Sequence, residues 1–309
     1  MELRKDYLLD RWVIISSKRS DRPSQFVSED AKSDAVDFFA PGNEHLTPPE
    51  IGRVSDGSSW KIRWFPNKFP FLIAEGAAEV QTHNEFYSFA SAFGHHDIIV
   101  ESPGREQLWD VSREHLGQLL RVYQERIHTL SSLEHIKYVL IFKNHGREAG
   151  TSLRHSHSQI ASLGIIPPEV VRKCVACKGD DPYRRIIGKE KGSERRCFEN
   201  RHFIAFCPYA SRFSYEILIL AKAPIYHMDD FTDHDFSDLA DVMKRVLDKL
   251  KELNAPFNYF IHYSPKGDSM RFQIEMLPRF STFAGFEFGS GMIVNSVSPE
   301  TAAKFYRGE

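Results

Sequence analysis

The sequence of 309 residues lacks the features that define several classes of protein. It has 40 basic and 42 acidic side chains, so a net charge of −2 does not favour binding to nucleic acid or to a membrane surface. No apolar run approaches the roughly 20 residues that a membrane-spanning helix needs. Four cysteines are too few for a secreted disulfide scaffold. We therefore expect a globular cytoplasmic protein with neither a nucleic-acid nor a membrane partner.

The glycine-rich phosphate loops of common nucleotide-binding proteins are also missing. No Gly-x-x-x-x-Gly-Lys-Ser/Thr segment is present, so a nucleotide would not be bound as in P-loop proteins. The glycines of residues 285–291 do not have the spacing of a dinucleotide-binding turn. Phosphate binding would have to depend on other residues.

The segment from Leu153 to Ala161 contains an unusual set of polar side chains. If it forms a strand, then His155, His157 and Gln159 share one face, because strand side chains alternate. This face could be the water-exposed side of a half-buried strand. Alternatively, it could perform phosphoryl chemistry, since a neutral imidazole is a nucleophile near pH 7.

The residues before this segment favour the second interpretation. Asn144 and Ser152 lie in a stretch of small and polar residues, which allows a ligand close to the backbone and offers hydrogen bonds to phosphate oxygens. One imidazole would attack phosphorus, while Gln159, Asn144 and Ser152 would hold the phosphoryl oxygens.

Two further segments suggest substrate contacts. The basic loop that contains Arg19 and Arg22 could bind a phosphate through guanidinium groups, or it could simply be solvated. A predicted strand is broken at Pro66, which places Phe65, Asn67 and Phe69 in an aromatic, amide-bearing loop. These residues could sandwich a nucleobase, or they could belong to the core.

The order of predicted elements occurs twice along the chain. Each copy contains a strand, then an amphipathic helix, a second strand and a third strand. The corresponding elements are Asp97–Pro103 and Glu216–Pro224, residues 112–130 and 233–253, Ile136–Phe142 and Phe257–Tyr263, and residues 155–159 and 271–275.

This repeat predicts two half-domains, at residues 1–168 and 169–309. The second copy carries Arg271, Gln273 and Glu275 where the first carries two histidines and a glutamine. Imidazole chemistry is therefore expected in the first half only, with one active site per chain.

A metal site is a competing use of histidine and cysteine. Cys174 and Cys177 have the spacing of zinc ligands, but one such pair is half of a site. They could instead be two reduced structural thiols. The candidates to complete a site are His202, His227, Cys197 and Cys207.

Taken together, the motifs resemble the galactose-1-phosphate uridylyltransferase family, a two-copy branch of the histidine-triad superfamily that includes ADP-glucose phosphorylase-like members. The resemblance covers nearly the whole chain. The segments that carry it, in family order, are Arg4-Lys5-Asp6 with residues 10–23, Pro41-Gly42-Asn43-Glu44, residues 65–69, Asn144 to Ser152, His155-Ser156-His157-Ser158-Gln159 and the tail from Gly285 to Asn295.

The resemblance implies an α+β fold of two histidine-triad-like half-domains, each an antiparallel sheet with a crossing helix. It implies that His157 is the nucleophile of a ping-pong transfer, carrying the nucleoside monophosphate of a nucleotide sugar to a sugar 1-phosphate or to phosphate. Gln159 would bind the transferring phosphoryl group. Phosphates would contact Arg22, Asn144 and Ser152, and the base and ribose would lie near Phe65, Asn67 and Phe69. Members form homodimers in which tail residues complete the partner's site.

The sequence departs from the family at its metal positions. Asp37 and Ala40 replace a cysteine pair, and Arg105 replaces a histidine, so His155 alone remains of that zinc set. We predict no metal there and no cofactor requirement for the chemistry. In the second half Cys174 and Cys177 persist without the family's histidines, so zinc would need substitute ligands.

Three functions remain open at this point. The first is nucleotidyl transfer through a covalent nucleotidyl-histidine. The second is a nucleotide-sugar hydrolase or phosphorylase, in which water or phosphate accepts the group. The third is a nucleotide-binding protein without catalysis, since loss of zinc removes a support of the active segment.

Overall fold

A ten-stranded antiparallel sheet is the centre of this computed structural model, which describes residues 2–15, 36–57, 59–76 and 78–309. Arg19 and Arg22 lie outside the described residues. The strands, numbered in chain order, are β1 (Glu2–Lys5), β2 (Trp12–Ile15), β3 (Gly52–Asp56), β4 (Ser59–Pro66), β5 (Gln81–Thr82), β6 (Ser88–Phe89), β7 (Gly94–Val100), β8 (Tyr138–His145), β9 (His157–Leu163), β10 (Arg196–Glu199), β11 (Phe203–Phe206), β12 (Ile217–Ala221), β13 (Phe257–His262), β14 (Gln273–Pro278) and β15 (Ile293–Asn295). The helices are α1 (Arg113–Ser131), α2 (Pro168–Ala176), α3 (Pro182–Glu190), α4 (Asp233–Glu252), α5 (Gly285–Ser290) and α6 (Pro299–Arg307).

The order of strands in the large sheet is the same on both sides of its centre. From β8 outward it is β8-β9-β7-β4-β3, and from β13 outward it is β13-β14-β12-β11-β10. Strands β8 and β13 are hydrogen-bonded to each other, with Phe257 opposite His145. The predicted α+β class with antiparallel sheets is confirmed. The boundary placed between residues 168 and 169 stays a prediction, because one continuous sheet crosses from β8 to β13.

Helices α1 and α4 pack against each other. Their apolar side chains recur every three to four residues, so each helix buries one stripe, for example Leu116, Leu120 and Tyr123 of α1. Helix α4 begins at a capping box, in which Thr232 and Asp235 satisfy each other's backbone N–H groups. The bounds of both helices agree with the predicted bounds within one residue.

Helix α1 covers one face of β9 and leaves the opposite face open. The Tyr123 hydroxyl donates to Ser158 Oγ over 2.8 Å, so Ser158 faces the helix. Because strand side chains alternate, His157 and Gln159 face the opposite side of the sheet. That side is where the site lies.

The predicted position of His155 was wrong in one respect. Strand β9 begins at His157, so His155 precedes the strand and does not belong to it. Its imidazole is held instead by Asp37 and by the Ser102 carbonyl. Both histidine rings nevertheless contact Phe39 edge-on, with centroids 5.9 and 5.4 Å away.

A separate three-stranded sheet, in the order β1-β2-β15, joins the two ends of the described chain. Strand β2 pairs with β1 antiparallel and with β15 parallel, so residues near 294 lie beside residues near 14. In the part of the chain that the structure describes, no helix combines the length and apolarity that crossing a membrane requires.

Candidate active site

A cavity of about 540 Å³ lies on the open face of β9. It is large enough for a nucleotide-sized ligand, because small-molecule sites commonly enclose 300–1,000 Å³. It is lined by seven of the predicted site residues, namely Phe65, Asn67, Phe69, Asn144, Ser152, His157 and Gln159. The other lining side chains are mainly apolar or aromatic, and they include Phe38, Phe39, Phe71, Ile98 and Phe142.

A second cavity of about 810 Å³ adjoins the first and is more polar. It shares Asn144, Ser152 and His157 with the aromatic cavity. Its walls also contain His155 and the basic residues Arg147 and Arg154. His157 therefore lies where an aromatic cavity and a polar cavity meet.

The protonation state of His157 follows from its surroundings. Its ring is buried, and its Nδ1 lies 2.8 Å from the backbone carbonyl oxygen of His155. A carbonyl can only accept, so Nδ1 carries the proton and the lone pair is on Nε2. Burial, followed by the positive charge of Lys143, lowers the pKa of His157 to about 4. The imidazole is therefore neutral at neutral pH, as a nucleophile requires.

A buried ion pair beneath the active segment was missed from the sequence. Lys143 Nζ lies 2.6 Å from Glu101 Oε2 and also donates to the His157 carbonyl oxygen over 3.0 Å. Ser156 Oγ donates to the same carboxylate oxygen over 2.6 Å. These contacts tie the backbone around His157 to β8 and to the end of β7. The only sequence signal was a lysine within one apolar strand, Lys143 in β8, and an acidic residue directly after another, Glu101 after β7.

The surroundings of His155 do not fit a zinc site. Its Nδ1 lies 3.0 Å from Asp37 Oδ1 and its Nε2 lies 2.8 Å from the Ser102 carbonyl oxygen. Both partners are acceptors, so neither ring nitrogen is left to coordinate a metal. Burial would raise the pKa of Asp37, but the hydrogen bond and charge of His155 outweigh it and lower that pKa. Arg105 Nε adds a further charge 3.7 Å from Asp37.

The cysteine pair of the second half is not joined, among the described residues, by the further ligands that a zinc site needs. Cys174 and Cys177 are both buried, and burial raises their pKa values to about 12 and about 11, so neither is a thiolate. Nearby, Arg271 donates to Asp181 and to the Lys222 carbonyl. Among the described residues, no three His, Cys, Asp or Glu side chains are grouped as metal ligands.

The orientation of the Asn144 amide is determined by two groups whose roles are unambiguous. Arg279 donates to Asn258 Oδ1 over 2.9 Å, and Asn258 Nδ2 donates to the Ala149 carbonyl over 2.8 Å. Asn258 Nδ2 also lies 2.8 Å from Asn144 Oδ1. The NH₂ group of Asn144 is therefore the part left for a ligand in the cavity. Sequence reasoning missed Asn258 and Arg279, which lie over 100 residues further along the chain.

The aromatic loop residues differ in their environment. Phe65 is only 1% exposed and packs against Phe39 at a centroid distance of 5.6 Å, so it is largely a core residue that also borders the cavity. Phe69 is 81% exposed. Asn67 Oδ1 accepts from the Phe69 backbone N–H over 2.9 Å, which stabilises the loop between them.

The corresponding region of the second half is filled by charged side chains. Lys173 and Arg212 both pair with Glu275, which matches Gln159 in the repeat. The void beside Gln273 and Glu275 is only about 50 Å³. A ligand has no room there, which agrees with imidazole chemistry in the first half only.

Fold and site together define a class of protein. A duplicated antiparallel fold presents one neutral, oriented imidazole to two adjoining cavities, with side-chain amides beside it. This is the arrangement of an enzyme that transfers a nucleotidyl group through histidine.

Comparison with known proteins identifies the family. Residues 1–167 match the family model described as galactose-1-phosphate uridyl transferase, N-terminal domain, and residues 110–305 match a domain of unknown function (DUF4921). The chain is 32% identical to ADP-glucose phosphorylase of Arabidopsis thaliana over 99% of its own length and 92% of the relative's. It is 26% identical to galactose-1-phosphate uridylyltransferase of Thermotoga maritima, covering 99% and 98% of the two chains.

Solved structures agree with these matches. The crystal structure of an ADP-glucose phosphorylase from Arabidopsis thaliana with bound ADP-glucose superposes with a TM-score of 0.84 at 32% identity, covering 100% of this chain and 99% of that one. A uridylyltransferase structure gives a TM-score of 0.77 at 25% identity, covering 100% and 98%. The chain belongs to the galactose-1-phosphate uridylyltransferase family. It is an enzyme of the nucleotidyl-transfer class, and the non-catalytic alternative is not supported.

Proposed function

We propose that this chain takes a nucleoside monophosphate from a nucleotide sugar onto His157 Nε2 and passes it to a second substrate. In the first step Nε2 attacks the α-phosphorus, the phosphorus–oxygen bond to the sugar 1-phosphate breaks, and a P–N bond forms. In the second step an acceptor oxygen attacks the same phosphorus and the P–N bond breaks. The observation that carries the proposal is the neutral His157, with Nδ1 bound to a carbonyl and its ring at the junction of two cavities.

The two cavities suit the two parts of the substrate. Aromatic side chains favour stacking with the nucleobase, so the base and ribose are assigned to the cavity beside Phe65, Asn67 and Phe69. The polar cavity, with Arg147 and Arg154 in its wall, suits the sugar phosphate. The N–H groups of Asn144 and Gln159 and the hydroxyl of Ser152 would bind phosphoryl oxygens.

The acceptor is a sugar 1-phosphate or inorganic phosphate. Phosphate as acceptor, and so a phosphorylase reaction, is favoured by the 32% identity to a relative named ADP-glucose phosphorylase. Transfer to a sugar 1-phosphate is favoured by the 26% identity to a relative named galactose-1-phosphate uridylyltransferase. The polar cavity would hold the donor's sugar phosphate in either reaction. Arg19 and Arg22, outside the described residues, remain proposed phosphate ligands.

The test is the covalent intermediate. Purified protein is incubated separately with ADP-glucose, UDP-glucose and UDP-galactose, and its intact mass is measured. We expect a mass increase of one nucleoside monophosphate with at least one donor, and none in His157→Gln. His95→Gln is the matched control, because His95 lies on the neighbouring strand away from the aromatic cavity. An adduct that persists in His157→Gln would contradict the proposal.

The same adduct distinguishes the acceptors. Isolated nucleotidyl-enzyme is mixed with buffer, inorganic phosphate or glucose 1-phosphate, and the released nucleotide is identified by chromatography. Rapid release of a nucleoside diphosphate identifies a phosphorylase, and release of a nucleotide sugar identifies a transferase. Release at an equal rate in buffer alone identifies a hydrolase.

We also propose that catalysis needs no zinc. The support is that oxygen acceptors occupy both His155 nitrogens and that, among the described residues, no three metal-ligating side chains are grouped. Elemental analysis should find less than stoichiometric zinc, and dialysis against a chelator should leave adduct formation unchanged.

The four buried free cysteines are consistent with the expected cytoplasmic location.

A homodimer is proposed as the assembled form. Two groups of exposed aromatic side chains support it, because large exposed apolar patches commonly mark interfaces. They are Phe86 and Tyr87 in the first half, and Phe280, Phe286 and Phe288 near the end of the chain. Light scattering coupled to gel filtration should give twice the chain mass; a monomer at micromolar concentration would contradict this.

A further inference from the structure

His96 lies between the aromatic loop and Gln159. It is a buried residue of β7, the strand that pairs with β9. Its ring stacks obliquely on Phe71 with centroids 4.1 Å apart. On its other side, Nε2 lies 2.8 Å from Gln159 Oε1. Neither the sequence motifs nor the proposed reaction uses this residue.

The backbone determines which nitrogen of His96 carries the proton. Burial lowers the pKa of His96, so its ring is neutral at neutral pH and has one N–H. The backbone N–H of Phe71, which can only donate, is directed at Nδ1 over 3.5 Å. Nδ1 must then carry the lone pair, and the proton is on Nε2.

The Asn67 amide lies beside the ring at nearly equal distances from both nitrogens, so it ties His96 to the loop without deciding the tautomer. Its Oδ1 accepts from the Phe69 backbone N–H, so its NH₂ end is turned toward the imidazole. Its Nδ2 lies 3.4 Å from His96 Nδ1 and 3.3 Å from Nε2. A second donor therefore faces the ring from the aromatic loop.

The orientation of Gln159 follows from the tautomer. Because His96 Nε2–H donates, the atom of Gln159 that it contacts must be the carbonyl Oε1. The NH₂ group of Gln159 then faces away from His96, in the cavity that His157 also lines. We propose that His96 is a positioning residue that holds Gln159 with its N–H groups toward the transferring phosphoryl group, and that links this orientation to the loop of residues 67–71.

This inference rests on the proposed function and predicts a particular pattern of rates. Loss of one orienting hydrogen bond in His96→Ala should slow adduct formation about tenfold, with KM for the nucleotide sugar nearly unchanged. Gln159→Ala removes the phosphoryl donor and should slow it about 100-fold. If His96 acts through Gln159, the double variant should be no more than about twofold slower than Gln159→Ala.

The matched control is His95→Ala, which changes the adjacent residue of β7 and should retain the full rate. A merely structural role of His96 would instead multiply the two single effects, to about 1,000-fold. That result, or a full rate in His96→Ala, would overturn the inference.

A measurement on the unmodified protein separates this inference from the proposed function. Nitrogen NMR of ¹⁵N-histidine-labelled protein reports which nitrogen of each imidazole is protonated, and the His96 signal is assigned by its displacement in Gln159→Ala. The inference requires the Nε2–H tautomer; an Nδ1–H tautomer or an imidazolium overturns it. If no donor forms an adduct with the wild type, the proposed function fails even where this tautomer is found.

Discussion

Replacement of Lys143 by methionine tests how the buried ion pair supports the nucleophile. The side chains of Lys143 and Glu101 are 1% and 0% exposed, and their charged atoms are 2.6 Å apart. Removing one partner leaves a buried, unpaired charge, which typically costs about 3–5 kcal/mol. The free energy of unfolding should fall by that amount in urea titrations of Lys143→Met.

A second effect of the same substitution concerns pH. After burial, the charge of Lys143 is the largest cause that lowers the pKa of His157. Only the neutral imidazole attacks, so the rate of adduct formation falls as pH drops through this pKa, which is about 4 in the wild type. Without Lys143 the pKa rises, and the acid limb of the pH–rate profile should move to higher pH.

Two further variants test whether these effects come from the unpaired buried charge. Lys143→Met/Glu101→Gln removes both charges and should recover most of the lost stability. Its acid limb should lie between those of the wild type and Lys143→Met, because the charge of Glu101 raises the pKa of His157. Lys137→Met changes an exposed lysine just before β8 and should alter stability by no more than about 0.5 kcal/mol. If Lys143→Met unfolds like the wild type, or if its acid limb does not move, the reasoning from the buried pair is refuted.

Three further substitutions test other parts of the molecule. Asp37→Ala removes the carboxylate that pairs with His155, so adduct formation should slow about tenfold, and added zinc should not restore it. Phe69→Ala should raise KM for the nucleotide sugar while leaving the melting temperature unchanged, since Phe69 is 81% exposed; equal KM values would remove Phe69 from the site. In Glu275, burial would raise the pKa, but the charges of Lys173 and Arg212 outweigh it and lower it. This pairing stabilises the fold above the unfolded-state pKa of about 4.3 and is lost as pH falls further, so the stability deficit of Glu275→Gln should be largest at neutral pH and shrink in acid.

Much of the fold was predictable because its periodic patterns are local. The apolar spacing of α1 and α4 agrees with their observed bounds. The strands that correspond in the two copies occupy the same positions in the two halves of the sheet, counted outward from β8 and from β13. Glu275 and Gln273 stand where the first half has an amide and a histidine. Glu275 forms an ion pair with Lys173, and the void beside Gln273 and Glu275 is small, which agrees with a single site per chain.

Part of the site was not predictable, because it depends on contacts between distant residues. His155 was assigned to the strand, but Asp37, 118 residues away, holds its ring just before β9 begins. Phe65 lines the cavity as predicted, and its burial against Phe39 makes it part of the core as well, so its position near the base stays a prediction. Phe69 is 81% exposed and stays a predicted substrate contact.

The order of residues along the chain sets the chemistry available to this protein. It placed two histidines and a glutamine at alternate positions, it repeated one structural unit, and it placed Asp37, Ala40 and Arg105 where the family resemblance implies metal ligands. Tertiary structure decided how those groups behave. The burial and neutral state of His157, the charge pair beneath it and the direction of each amide all arise from atoms brought together across the sheet, because pKa values and hydrogen-bond roles depend on neighbours in space.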